Sequence, residues 1–91
     1  MSDKKVLIVD DEKDIRNIIR YNLEKQGFKC ISATDGDGAL EKLNKNPDLI
    51  ILDIMMPEKD GYEVCKIIRA QGNTVPIIFL TAMDREFDEI K

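Results

Sequence analysis

The sequence predicts an α/β fold, a doubly wound parallel sheet with helices on both faces, from three observations. Short apolar runs alternate with segments of helical period, and each run breaks off at an acid or a hydroxyl residue. The first run, Val6-Leu7-Ile8-Val9, is continuously apolar, as a strand covered on both faces requires, and stops at Asp10-Asp11-Glu12. From Lys13 to Gln26, Ile15, Ile18, Ile19 and Leu23 recur at helical spacing, and Gly27 supplies a left-handed stop. Phe28 to Ala33 reads as the second strand. A short helix follows, with Ala39, Leu40 and Leu43 on one face, and Asn46-Pro47 ends it. Leu49-Ile50-Ile51-Leu52 is the third strand, ending at Asp53. After a loop with Pro57 and Asp60-Gly61, the residues Val64, Cys65, Ile67 and Ile68 mark a third helix that stops before Gly72. Ile77-Ile78-Phe79-Leu80 is the fourth strand, ending at Thr81, and Asp84 to Lys91 begins a fourth helix with Phe87 and Ile90 as its apolar positions.

Composition narrows the class of function. Ninety-one residues make a single domain. With 43% hydrophobic against 35% charged residues the chain is too apolar for a disordered tail, and its apolar runs fall far short of the roughly 18 needed to span a membrane. Fourteen basic against eighteen acidic residues leave a net charge of −4, which argues against a nucleic-acid backbone as partner. Cys30 and Cys65 are far apart and there is no histidine, so zinc and dithiol sites are excluded and reduced, buried thiols are expected. Four apolar residues before Asp10 are too few for a secretory signal, and a cytoplasmic protein is expected.

In such sheets ligands bind beyond the carboxyl ends of the strands, where the strand order reverses. In a 2-1-3-4 order the first and third strands are neighbours, so Asp10, Asp11 and Asp53 would converge. Like charges packed this closely raise one another's pKa, and the cluster makes physical sense chiefly as a seat for a hard divalent cation. Mg2+ fits, because it favours oxygen ligands and is held by one or two carboxylates plus phosphate oxygens. The competing reading of Asp10 and Asp11 is a helix start, where acids favour the dipole. Asp35-Gly36-Asp37-Gly38 superficially matches a calcium loop, but Ala39 and Asn46 stand where acids are needed, and it reads as a helix N-terminus.

The string Asp53-Ile54-Met55-Met56-Pro57-Glu58-Lys59-Asp60-Gly61, with the acidic pair before it and Thr81 after it, resembles the receiver domain of bacterial two-component response regulators. That family carries an acidic pair after the first strand, a D-x-x-x-P-x-x-D-G loop, and Thr or Ser ending the fourth strand. The resemblance runs from Lys4 to Lys91 and implies a flavodoxin-like receiver fold. It implies that Asp53 accepts a phosphoryl group from a sensor histidine kinase, a phosphotransfer domain or a small phosphodonor. It also implies that Asp11, Asp53 and the backbone carbonyl of Met55 ligate Mg2+, with Asp10 acting largely through water. Thr81 would donate its hydroxyl to the phosphoryl group, and Ala82 after it leaves access. Met55 and Met83 would flank that group, and Ile15 or Ile18 would meet the kinase, in competition with a place in the core.

Receivers continue into a further strand that ends in a phosphoryl-binding Lys. Only ten residues follow Thr81, and Lys91 is the sole lysine among them, so a receiver incomplete at its C-terminus is expected, with an output domain controlling transcription outside it. An uncovered fourth-strand edge would favour a homodimer or a segment-swapped dimer. Two rival functions remain at this stage. A haloacid-dehalogenase-like phosphohydrolase would need an acid where Met55 stands, and a pseudo-receiver would bind partners without being phosphorylated.

Overall fold

The computed structural model describes residues 3–81. Four parallel strands, β1 (Lys5–Val9), β2 (Lys29–Ala33), β3 (Leu49–Asp53) and β4 (Ile77–Leu80), lie in the order β2-β1-β3-β4. The doubly wound sheet and its strand order therefore agree with the sequence expectation. Three helices connect the strands: α1 (Lys13–Lys25), α2 (Gly36–Lys42), which runs on into a 3-10 turn at Leu43–Lys45, and α3 (Gly61–Ala70). Gly27 (φ 94°) and Asn46 (φ 55°) take the left-handed conformations that stop the first two helical segments. The expected fourth helix from Asp84, with Ala82, Met83 and Lys91, lies outside the described residues.

Register explains which residues fill the core. Leu7, Val9, Ala33, Ile50 and Leu52 share one face of the sheet and pack with Ala39 of α2 and with Val64 and Ile68 of α3. Ile8 and Ile51 lie on the opposite face, the one that α1 approaches. There Arg20 donates to the hydroxyl of Ser32 (2.8 Å) and to the carbonyl of Cys30 (3.4 Å). No residue of α1 is fully buried, and Ile15 and Ile18 are both exposed, Ile18 by 59%, so neither enters the core. Both cysteines are free but half-buried, which corrects the expectation of buried thiols: Cys30 sits on the α1 face beside Arg20, and Cys65 on α3 only flanks the core.

Two loop residues join the core instead. Met56 and Val75 are nearly inaccessible and pack with α3 and the central strands. At the outer strand, the rings of Tyr62 on α3 and Phe79 on β4 meet with centroids 5.1 Å apart, a tilted aromatic pair. Among the described residues no helix is long and apolar enough to cross a membrane.

Candidate functional site

β1 and β3 pair from Val6–Leu49 to Val9–Leu52, so their last residues lie side by side and both chains leave the sheet at its carboxyl end. That register brings Asp10, Asp11 and Asp53 together, one carboxylate oxygen from each lying within 4.8 Å of the others. Asp10 is 4% and Asp53 9% exposed, whereas Asp11 faces solvent. Burial is the largest influence on both hidden acids and pushes their pKa values above the ordinary carboxylate range. The negative charges of neighbouring acids push the same way, Asp11 on Asp10, and Asp10 and Asp11 on Asp53.

Single backbone amides partly offset these effects. Asp10 Oδ1 accepts from the Glu12 N–H at 2.8 Å, and Asp53 Oδ1 accepts from the Met55 N–H at 3.0 Å. The helix-start reading of the acidic pair fails in detail: the residue that caps α1 is Glu12, which makes no side-chain cap bond, and Asp10 bonds the turn just before it. Asp35 does cap a helix, accepting from Gly38 N–H at 2.7 Å at the head of α2, as the rejection of a calcium loop implied. Asp60 caps α3 in a reciprocal box with Glu63.

Thr81 directly follows Leu80, the β4 residue in register with Asp53, so it begins the neighbouring loop at the same end of the sheet. Met55 contributes its backbone to the loop and is 64% exposed as a residue, and Met83 lies outside the described residues. One contributor escaped the sequence reading. Arg16 Nη1 donates to the carbonyl of Asp10 at 2.8 Å and tethers the turn that carries the acidic pair.

All side-chain donors in the cluster are carboxylate oxygens, two of them buried with raised pKa values. The arrangement fits a hard, oxygen-seeking cation such as Mg2+ and offers nothing to a soft one.

Comparison with known proteins decides the family. The response regulator receiver domain family matches residues 6–91. The chain belongs to that family. Among curated relatives, this receiver is 51% identical over 88 residues to the alkaline phosphatase synthesis transcriptional regulatory protein PhoP of Bacillus subtilis (strain 168), covering 96% of this chain and 37% of that protein. The chain thus spans little more than a third of that relative. Among solved structures, it superimposes on the receiver domain of Francisella response regulator 1452 with a TM-score of 0.84 at 39% identity, covering 97% of this chain and 74% of that one. It also superimposes on the response regulator TrrA of Thermotoga maritima, solved in complex with Mg2+-BeF, with a TM-score of 0.82 at 42% identity, covering 87% and 70% of the two chains. Receivers are signalling modules of two-component systems, and the acid cluster of this one lies at the carboxyl end of its sheet.

Proposed function

We propose that this receiver accepts a phosphoryl group on Asp53 from a sensor histidine kinase or a phosphotransfer domain, and that it does so with Mg2+ held by Asp10, Asp11, Asp53 and the backbone carbonyl of Met55. The observation that carries the proposal is the convergence of three carboxylates at the ends of β1 and β3, two of them buried. Bound there, Mg2+ supplies positive charge that offsets negative charge on the equatorial phosphoryl oxygens. The Met55 N–H holds Asp53 Oδ1, which leaves Oδ2 to attack phosphorus. The P–N bond of the donor phosphohistidine breaks, its electron pair stays on the imidazole nitrogen, and an acyl phosphate forms on Asp53. Thr81 donates its hydroxyl to a phosphoryl oxygen of the product. The group is transferred once per molecule, so the chain acts as a stoichiometric acceptor and not as an enzyme.

In the cell we place the chain in the cytoplasm, as the phosphoacceptor part of a regulator that controls transcription, in keeping with the name of its PhoP relative. With a net charge of −4 it is not itself the nucleic-acid reader. The 91-residue chain is further proposed to form a homodimer or segment-swapped dimer. β4 is one of the two edge strands of the sheet among the described residues, and Ile78 on it is 52% exposed. A mass that stays monomeric in light scattering up to high concentration overturns that part.

Incubation with acetyl phosphate and Mg2+, followed by intact-mass measurement, tests the acceptor assignment. The expected result is one phosphoryl adduct on the wild-type chain and none on Asp53→Asn. An adduct of equal yield on Asp53→Asn overturns the assignment, and no adduct on either favours a receiver that binds partners without phosphorylation.

A further inference from the structure

The loop that leaves Asp53 returns to it at Gly61, the first residue of α3. Ile54 is where the two ends meet. Its N–H donates to the Leu80 carbonyl at 3.0 Å, and its own carbonyl accepts from the Met56 N–H at 3.1 Å and from the Gly61 N–H at 3.0 Å. That carbonyl belongs to the same planar peptide as the Met55 N–H, which donates to Asp53 Oδ1. Whatever fixes one end of this peptide therefore aims the other end at the acceptor carboxylate.

Gly61 can reach the Ile54 carbonyl only because it has no side chain. A Cβ there would lie 2.5 Å from the Asp53 carbonyl oxygen, 2.8 Å from Ile54 Cα and 3.0 Å from the Asp53 carbonyl carbon. All three are backbone atoms, so the crowding is relieved only by moving the end of β3 or the head of α3. Backbone freedom is not the reason for glycine here, since the positive-φ glycines among the described residues are Gly27 and Gly72. The head of α3 is also held from its own side, by the capping box of Asp60 and Glu63.

We infer that Gly61 is a positioning residue for the phosphoacceptor site. By admitting the head of α3 against the Asp53–Ile54 backbone, it orients the Ile54–Met55 peptide, whose N–H fixes the Asp53 carboxylate and whose turn carries the Met55 carbonyl. This inference rests on the reading of Asp53 and Met55 as the acceptor and metal site given above. A second glycine serves as control. A Cβ at Gly36 would meet Val64 Cγ2 at 2.8 Å and Lys59 Cβ at 3.0 Å, comparable crowding but against side chains and not against the Asp53–Ile54 backbone.

The experiment measures Mg2+ affinity by calorimetric titration, and thermal unfolding without metal, for the wild-type chain, Gly61→Ala and Gly36→Ala. Gly61→Ala is expected to raise the Mg2+ Kd at least about tenfold, the cost typical of losing support behind a metal ligand. Gly36→Ala is expected to lower Tm and leave the Kd unchanged. An unchanged Kd in Gly61→Ala overturns the inference, and so does an equal loss of affinity in both variants, which would mean general loosening. A wild-type chain that binds no Mg2+ overturns the site reading and this inference with it. If Gly61→Ala does not fold, nuclear magnetic resonance on the wild type decides. The Gly61 amide should shift with the same Mg2+ midpoint as the Met55 amide while Gly72 stays still, and an unmoved Gly61 amide overturns the inference.

Discussion

Two forces act on the same pair of side chains: burial disfavours the charged forms of Asp10 and Asp53, and neighbouring acids repel them. Both therefore hold their protons more tightly in the folded chain than in the unfolded one, where an aspartate titrates near 3.8. Between that value and the raised one the folded state binds more protons, so stability from these groups falls as pH rises and their cost is complete above the raised pKa. In metal-free buffer, Asp53→Asn should thus unfold at a higher temperature than wild type at neutral pH, and the gap should close as pH falls toward 3.8. Thermal denaturation with a chelator present reads this directly, and a gap that is absent or widens on acidification contradicts it. The identity of these residues was legible in the sequence because each acid stands where an apolar run stops. Arg16 was not, because its bond to the Asp10 carbonyl depends on how α1 turns back over the end of β1.

Elements differ in how much of their packing a sequence can declare. β1 was legible because its stretch Val6 to Val9 is covered on both faces and so is continuously apolar. The apolar stripe of α1 gave the helix but not its burial, since helical period records a face and not how closely the sheet covers it. Met56 and Val75 were missed for the opposite reason: they are core residues in loops, where no period exists to mark them. These differences carry a prediction for α3 against α1. Ile68→Ala, at a fully buried position, should cost about 2–5 kcal/mol, while Ile18→Ala should stay within about 0.5 kcal/mol of wild type. Asp60→Ala, which removes the cap of α3, falls between them at about 1 kcal/mol. Denaturant unfolding of the three variants gives the order, and an Ile18→Ala loss as large as that of Ile68→Ala would place α1 in the core after all.

At the scale of the whole molecule the site and the fold draw on one free energy. The sheet register that completes the hydrophobic core is the same register that crowds three carboxylates together, so the chain folds against a repulsion that only a proton or a cation relieves. A cation that binds the folded state alone then stabilises every element at once, by about 2.7 kcal/mol at a hundred times its Kd. For a domain of this length each kcal/mol corresponds to a rise in Tm of roughly 4–8 °C. Melting temperature should therefore climb with the logarithm of Mg2+ concentration above its Kd. Ionic strength must be held constant with NaCl, because simple screening also weakens repulsion among exposed charges. Asp11→Ala separates site binding from screening: it removes one carboxylate that is exposed and contributes nothing to the core, so its metal-free fold should be intact and its Mg2+-dependent rise largely lost. A rise in Asp11→Ala equal to that of wild type would assign the stabilisation to diffuse charge neutralisation across a chain of net charge −4 and not to a cation seated between β1 and β3.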